Sequence, residues 1–231
     1  QIAELFFAPT ENNRKNLEKE NIFKNIYVTG NTVIDSFQYT VKDNYKYKNE
    51  KLNEIDFSKS RFILMTAHRR ENLGMPLENI CRAAKRIISE YDDVELIYPV
   101  HLNPAVRNTV FSILDGVERV HLLDPIDVED MHNIMANSYL VMTDSGGLQE
   151  EGPHFGVPVM VLRTETERPE AVEAGTVSLV GVEEEAIYNF AKLLLTDKEK
   201  YAQMAHAVNP YGDGHASERI VNEIVEWKTK K

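Results

Sequence analysis

Short apolar runs alternate with longer segments in which apolar residues recur every three or four positions, most regularly after residue 60. Runs that are apolar at nearly every position are typical of parallel strands buried on both faces. The pattern therefore predicts an α/β fold, a Rossmann-like parallel sheet with helices on both faces. Strands are expected at residues 62–66, 94–98, 117–122, 139–143, 157–162 and 177–180, and helices at 76–90, 104–114, 128–137, 147–155, 169–174, 183–195 and from 198.

The first sixty residues are less regular. Apolar runs at 2–7 and 26–29 are each followed by a helical pattern, and Thr10 is the candidate N-cap of the first helix. Residues 43–60 are rich in Lys and Asn and predict a linker or domain boundary. A last helix is expected over 216–227. The chain starts in mid-pattern at Gln1, so we expect the natural protein to extend further toward its N-terminus.

Composition narrows the possible functions. The chain has 231 residues, of which 42% are hydrophobic, enough for a sizeable core. Its net charge of −11 argues against general binding of nucleic acid or anionic membranes. Cys81 is the only cysteine, which excludes an intrachain disulfide and fits the cytoplasm. No apolar run approaches the roughly 20 residues that span a bilayer.

Residues 141–156, VMTDSGGLQEEGPHFG, are typical of a strand, a tight turn and a helix start. Unpaired N–H groups and a partial positive charge at a helix N-terminus attract anions. Gly146 and Gly147 after Ser145 would let phosphates approach that backbone closely. We interpret the turn as an anion cradle for a nucleotide diphosphate; the alternative is a βα turn that uses glycine only for packing.

Topology places a second polar strand end beside this turn. In the Rossmann strand order, the first and fourth strands of the six are neighbours at the switch point, where ligands bind. Polar residues follow the first strand, among them His68 and Arg69. His68 can donate to a phosphate oxygen or act as an acid or base; alternatively, it is a capping or surface histidine.

Four further residues lie at the same predicted edge. Arg168 can bind a phosphate or sugar bidentately, or form a surface ion pair with Glu165 or Glu170. Glu150 and Glu151 follow the glycines, where a carboxylate can hold ribose hydroxyls or stabilise the helix dipole. His101 closes the second strand on the same ligand edge; the alternative is that it is simply a loop residue. We find no spacing of ligand residues that indicates a metal site.

Five motifs carry a resemblance to a known family: TAHRREN, YPVHLNP, TDSGGLQEE, TERPEAVEAGT and NPYGDGHASERI. In this order and spacing, over essentially the whole chain, they resemble the non-hydrolysing UDP-N-acetylglucosamine 2-epimerases. The resemblance implies the second domain of a GT-B-like two-domain fold. Residues 1–45 would be the end of the first domain and the hinge, 46–212 the UDP-binding domain, and 213–231 a helix crossing back.

The resemblance also implies a reaction. Family members interconvert UDP-GlcNAc and UDP-ManNAc by eliminating UDP, forming 2-acetamidoglucal and adding UDP back, without a cofactor. The carboxylates that move the C2 proton lie in the first domain, so we expect this chain to bind UDP weakly and not to epimerise. The family further implies a cytoplasmic protein, a homodimer at full length and a role in cell-surface polysaccharide biosynthesis.

Site roles follow from motif matches. Ser145, Gly146 and Gly147 would hold the pyrophosphate and Glu151 the ribose hydroxyls. Arg168 and His68 would contact the phosphates, with His68 helping UDP to depart. The uracil would lie against residues 124–131, including Ile126 and Met131, where relatives can carry an aromatic residue. Arg69 and His101 match positions that contact an allosteric second UDP-GlcNAc.

Three other functions remain open at this point. A GT-B glycosyltransferase would share the architecture, although TERPEAVEAGT argues against it. A hydrolysing 2-epimerase would release UDP and free ManNAc. A non-catalytic module that senses UDP-sugars would lack the proton-transfer carboxylates.

Overall fold

The structure is a computed structural model that describes residues 2–230, and eight strands occur in this part of the chain. The strands are β1 Phe6–Ala8, β2 Ile26–Val28, β3 Arg61–Thr66, β4 Val94–Pro99, β5 Val120–Leu123, β6 Leu140–Thr143, β7 Val159–Val161 and β8 Val177–Leu179. The helices are α1 Glu11–Lys19, α2 Thr32–Thr40, α3 Met75–Glu90, α4 Pro104–Leu114, α5 Val128–Ala136, α6 Gly146–Glu151, α7 Pro169–Glu173, α8 Glu184–Thr196, α9 Lys198–Ala205 and α10 Ala216–Thr229. Short 3-10 helices lie at Glu50–Glu54, Arg70–Asn72 and Gly152–Phe155.

Six strands form one parallel sheet in the order β5-β4-β3-β6-β7-β8. The chain moves outward from β3 to β5, then returns to pair β6 with β3 on its other side. This is the Rossmann order, and the predicted Rossmann-like α/β fold is confirmed. The switch point lies between β3 and β6, as the sequence predicts.

The sheet is buried on both faces because successive strand residues point in opposite directions. In β3, Ile63 and Met65 pack against the helices α3, α4 and α8. Phe62 and Leu64 pack on the opposite face with α2 and α5. This two-sided burial explains the nearly continuous apolar runs in the sequence.

The predicted boundaries need local corrections. The segment expected as one helix over 147–155 is α6 followed by a 3-10 turn, and the strands expected from 117 and 157 begin at Val120 and Val159. In the sequence, Thr166 or Glu167 could serve as the cap of the helix that begins at Pro169, but in the structure Arg168 is the N-cap residue of α7 and makes no side-chain cap hydrogen bond. The Thr166 hydroxyl instead accepts from the Arg168 backbone N–H at 3.1 Å. That contact shapes the loop rather than the helix end.

The N-terminal segment meets the C-terminal helix at a close backbone crossing. β1 and β2 form a small parallel sheet, and the chain then passes Gly30. A Cβ atom on Gly30 would lie 3.3 Å from the Cα of Gly212, and both glycines have positive φ. Beside the crossing, the Asp35 carboxylate accepts the backbone N–H groups of Ala216 (3.0 Å) and Ser217 (2.6 Å) and so caps α10.

Residues 43–60 pack against the sheet through Tyr47 and Leu52, which are buried. The Asp130 carboxylate in α5 fixes this segment by accepting from the Tyr45 hydroxyl and the backbone N–H groups of Lys48 and Asn49. Within residues 2–230, no helix has the length and apolar character required to cross a bilayer.

Candidate functional site

The carboxyl ends of β3 and β6 lie side by side. Thr66 pairs in register with Thr143, and their hydroxyl oxygens are 2.7 Å apart. The loops that follow carry His68 and Arg69 on one side and the Ser145–Gly147 turn on the other. The predicted juxtaposition of these two strand ends is therefore confirmed.

Asp144 ties the two loops together. It is fully buried, and its Oδ2 accepts the backbone N–H groups of His68 and Arg69, each at 2.8 Å, and the Asn72 amide at 3.0 Å. Asn72 also donates to the Leu162 carbonyl after β7. One carboxylate therefore fixes the backbone that carries both candidate ligand-binding side chains of the β3 loop.

His68 is partly exposed and faces the neighbouring loop. Its ring stacks in parallel on the His101 ring, with centroids 5.0 Å apart and planes tilted by 5°. Its Nδ1 lies 3.8 Å from Oδ1 of Asp144, an oxygen that has no hydrogen-bond partner. The structure thus brings His68 and His101 together at the strand ends, as expected from their positions after β3 and β4.

The Ser145–Gly147 turn exposes the start of α6. The Ser145 side chain does not cap the helix, and its backbone N–H donates to the Thr143 hydroxyl. A methyl group built on Gly146 would lie 3.5 Å from Nη2 of Arg168 and 3.8 Å from Nη2 of Arg69. Two guanidinium groups therefore converge over a helix start without side chains, an arrangement suited to an anion.

Arg168 is held by Glu150. Its Nε donates to Oε1 of Glu150 at 2.5 Å, and Asn31 donates to the other carboxylate oxygen. Burial alone lowers the pKa of the guanidinium, but the hydrogen bond and the charge of Glu150 outweigh it and raise this pKa. The expected alternative pairing with Glu165 or Glu170 is not the one found.

Arg69 has two acidic neighbours. Its Nη1 is 3.6 Å from Glu71 and 3.5 Å from Glu167. Glu167 is primarily bound by the buried Arg163, at 2.6 Å, and this hydrogen bond lowers the pKa of Glu167 to about 2. Because Arg163 offsets much of the charge of Glu167, Glu167 offsets little of the charge of Arg69. The positive charge of Arg69 can therefore attract an anion at Gly146.

Glu151 extends back toward the turn from the end of α6. A methyl group on Gly147 would lie 3.0 Å from its Oε1. Its Oε2 is 3.4 Å from Nε2 of the buried His132. The carboxylate therefore lies beside the Ser145–Gly147 turn. If the turn held a phosphate, a sugar attached to that phosphate would be within reach of Glu151.

Ile126 and Met131 lie on the β5 side of the cleft. Ile126 precedes α5, Met131 is in its first turn, and both are partly buried against the core. They supply apolar surface near the strand ends.

The sequence did not assign a function to Asp144, Asn72, His132 or Asn31. Asp144 stood within the TDSGG motif, but the partners of the others are far away in the chain.

Two other features bear on ligand choice. Within residues 2–230, no three His, Cys, Asp or Glu side chains are grouped to hold a metal ion. A cavity of about 1050 Å³ lies away from the strand ends, lined by parts of residues 41–58 with Ala136 and Asn137. It contains none of the motif residues, so the chemistry favours the strand ends as the functional site.

Comparison with known proteins identifies the family of the chain. A sequence profile of the UDP-N-acetylglucosamine 2-epimerase family matches residues 1–225. A Thermotoga maritima relative is 62% identical over 224 residues, covering 97% of this chain and 59% of the relative. The UDP-N-acetylglucosamine 2-epimerase of Bacillus subtilis is 52% identical over 225 residues, covering 97% and 58%.

Solved structures of the same family share the fold of this chain. The S. aureus MnaA–UDP co-structure is similar with a TM-score of 0.92 and 50% identity, covering 99% of this chain and 62% of that one. The Neisseria meningitidis UDP-GlcNAc 2-epimerase bound to UDP-GlcNAc matches with a TM-score of 0.87 and 40% identity, covering 97% and 62%. The chain thus spans about three fifths of these relatives' length. With its profile match, strand order and strand-end motifs in agreement, the chain belongs to the UDP-N-acetylglucosamine 2-epimerase family.

Proposed function

We propose that this chain binds the UDP part of UDP-GlcNAc and UDP-ManNAc and serves their interconversion by C2 epimerisation. The observation that carries the proposal is the convergence of Arg168 and Arg69 over the bare backbone at Gly146. The net charge of the chain is negative, so a diphosphate needs a locally positive site. The Gly146 turn provides one, because it combines two guanidinium groups with the N-terminus of a helix. Relatives named for this activity, two of them with UDP or UDP-GlcNAc bound, support the ligand class.

The pyrophosphate would lie on Ser145, Gly146 and Gly147. Backbone N–H groups at the start of α6 point toward it, and glycine permits contact distance. Arg168 would bind an oxygen through its terminal nitrogens, since its Nε is engaged by Glu150. This division of donors keeps the guanidinium oriented before the ligand arrives, which reduces the entropy lost on binding.

The nucleoside would extend from the phosphates toward α5. Glu151 would accept hydrogen bonds from the ribose hydroxyls, which is a common use of an acidic residue in nucleotide sites. Ile126 and Met131 would supply apolar contact to the uracil, with the backbone at Ile126 contacting its polar edge. This path follows the order of groups in UDP from the turn to the β5 side.

His68 would act when UDP leaves. In the elimination, the C2 proton is removed, the C1–O bond to UDP breaks, and a C1–C2 double bond forms; re-addition of UDP reverses these changes with a proton delivered to the other face. Asp144 lies on the Nδ1 side of His68, so Nε2 is available to the phosphate. With Nδ1–H facing Asp144, Nε2 would donate in the imidazolium form, in which both ring nitrogens carry protons, and that donor would stabilise the charge that develops on departing UDP.

Arg69 and His101 would contact a second UDP-GlcNAc that activates the enzyme. Their support is proximity: Arg69 approaches Gly146, and His101 stacks on His68. A ligand touching both would therefore adjoin the first nucleotide. Such a ligand would change activity through the position of His68.

The chain's part in the whole enzyme follows from the same family relationship. Residues 46–212 would form the UDP-binding domain, 1–45 the end of the first domain and hinge, and 213–231 a helix returning to it. The carboxylates for the C2 proton would lie outside the 231 residues, so this chain alone would bind UDP without epimerising it. The full-length protein would be a cytoplasmic homodimer.

Gly146→Ala tests the phosphate site. A methyl group there meets the nearest side chain at 3.5 Å, an ordinary van der Waals contact, so the fold accepts it. The same methyl blocks phosphate from the backbone. We expect the variant to be as stable as the parent but to bind UDP at least about tenfold more weakly by isothermal titration. Uridine is the matched control ligand, and its weak binding should not change.

Unchanged UDP affinity in Gly146→Ala would contradict the phosphate site. A separate assay addresses the missing chemistry: incubation of the 231-residue chain with UDP-GlcNAc, followed by chromatography for UDP-ManNAc. We expect no epimer. Turnover by this chain alone would show that the proton-transfer groups are within it.

A further inference from the structure

A buried histidine contacts the candidate site from beneath. His132 in α5 is 2% exposed, and its Nε2 lies 3.4 Å from Oε2 of Glu151. Its Nδ1 lies 2.8 Å from the hydroxyl of Thr40 at the end of α2. We propose that His132, itself held by Thr40, is a positioning residue that aims the Glu151 carboxylate at the ribose hydroxyls. The proposal rests on the proposed function, because it assigns Glu151 to the ribose.

The contacts at both ring nitrogens fix the tautomer of His132. The Glu151 carboxylate can only accept, so Nε2 must carry the ring proton for its 3.4 Å contact with Oε2 to be favourable. In the neutral ring Nδ1 then accepts from the Thr40 hydroxyl at 2.8 Å, in place of donation by that hydroxyl to the Ser36 carbonyl at 3.2 Å. The ring therefore presents N–H to the carboxylate rather than a lone pair.

The helices on either side hold the ring in place. Asn133, next to His132, donates to the Thr40 carbonyl at 2.7 Å and accepts the Lys42 backbone N–H at 3.1 Å. The Phe37 ring packs edge-on against His132, with centroids 4.7 Å apart. Because α2 and α5 are joined at this point, His132 has little freedom to turn from Glu151.

Glu151 is therefore held at one oxygen and directs the other toward the turn. Oε2 faces His132, and Oε1 lies over Gly147, within 3.0 Å of a methyl group built there. The carboxylate extends from the helix core to the proposed phosphate turn. Fixing its direction matters most for a ligand with two adjacent hydroxyls, because both bonds must form from one carboxylate orientation. The arrangement therefore favours ribonucleotides over 2′-deoxyribonucleotides.

The test compares UDP with 2′-deoxyuridine diphosphate by isothermal titration of the 231-residue chain. We expect the parent chain to bind UDP about tenfold more tightly, since one hydrogen bond to a charged group is worth roughly that factor. His132→Phe keeps a ring but removes both nitrogens, and Thr40→Val keeps the shape but removes the hydroxyl. In each, UDP should weaken until the two affinities differ by about twofold or less.

His132→Gln is the conservative variant, since its amide nitrogen can replace Nε2, and it should restore most of the preference for UDP. His154→Gln is the matched control. His154 contacts the same Phe37 ring, with centroids 4.9 Å apart, but is exposed at the surface, and the preference should stay at the parent value. Circular dichroism verifies that each variant folds. If His132→Phe does not fold, the result for Thr40→Val, which is the smallest change, decides the test.

Three results would overturn the proposal. Equal weakening of both nucleotides in His132→Phe and Thr40→Val would show a structural role without aim at the ribose. An unchanged preference in both would show that Glu151 needs no support. A parent chain that binds UDP but does not distinguish the two nucleotides would instead refute the proposed ribose contact of Glu151, and the role of His132 with it.

Discussion

Replacing Asp144 should damage both the stability and the site, because this one carboxylate joins the loops after β3 and β6. Its Oδ2 accepts three hydrogen bonds, from the backbone of His68 and Arg69 and from the Asn72 amide. Hydrogen bonds to charged groups contribute roughly 1.5–3 kcal/mol each, but they share one acceptor and are not additive. Asn72 is itself buried, so water cannot easily replace its bond.

We therefore expect Asp144→Ala to lower the free energy of unfolding by about 3–5 kcal/mol, a large part of the roughly 5–15 kcal/mol of a typical domain. Asp144→Asn keeps an oxygen for the three donors but loses the charge, and should lower it by about 1–2 kcal/mol. Urea unfolding followed by far-UV circular dichroism measures both values at a common m-value.

Asp124→Asn is the matched control for Asp144→Asn. Asp124 also carries an ion pair, with Arg107 at 2.7 Å, but its side chain is 74% exposed. Exposed pairs contribute little, so this change should stay within about 0.5 kcal/mol. The account would be refuted if Asp144→Ala lowered stability by less than about 1 kcal/mol, since the carboxylate would then not be what joins the loops.

Three further predictions concern the surrounding residues. Arg168→Lys should weaken UDP binding about tenfold without affecting uridine, because lysine cannot bond a carboxylate through one nitrogen and a phosphate through another; isothermal titration measures both. The pKa of Glu167 is lowered to about 2 by Arg163, so this pair stabilises the fold above about pH 4.3 and the stability is lost as pH falls toward 2. Since Glu167 is half exposed, Glu167→Gln should remove only about 0.5 kcal/mol of that acid-dependent stability, read from melting temperatures across this range; an identical pH profile would contradict the assignment. Asp35→Ala removes the cap of α10 and should reduce the free energy of unfolding by about 1–2 kcal/mol in urea, whereas an unchanged midpoint would show that the cap does not hold the helix.

Sequence periodicity was sufficient for the order and type of the elements that form the main sheet. The apolar runs are buried on both faces, so every position in them is apolar. Alternating strands and helices predict a parallel sheet, whereas the Rossmann order was an expectation that the structure confirms. Boundaries were less certain because they depend on single contacts. The 3-10 turn Gly152–Phe155, for example, ends α6 earlier than helix-forming residues alone would indicate.

The candidate site also has one part that the sequence predicts and one part that it does not. Ser145 and His68 were predictable because each lies two residues after the end of a strand, and parallel strands end at one edge. The support beneath them was not, because it joins distant residues: Asn31 and Glu150 are 119 positions apart, and Thr40 and His132 are 92 apart. Their meeting depends on how α2 packs against α5 and α6, which no local spacing encodes.

The central claim is that UDP binds at the strand ends with its phosphates on the Ser145–Gly147 turn. The direct test is to titrate the ¹⁵N-labelled chain with UDP and to measure the amide ¹⁵N–¹H chemical shifts at each step. The account predicts saturable shifts concentrated at residues 145–148 and in the loop carrying His68 and Arg69. Shifts confined to the cavity lined by residues 41–58, or the absence of saturable shifts, would contradict it.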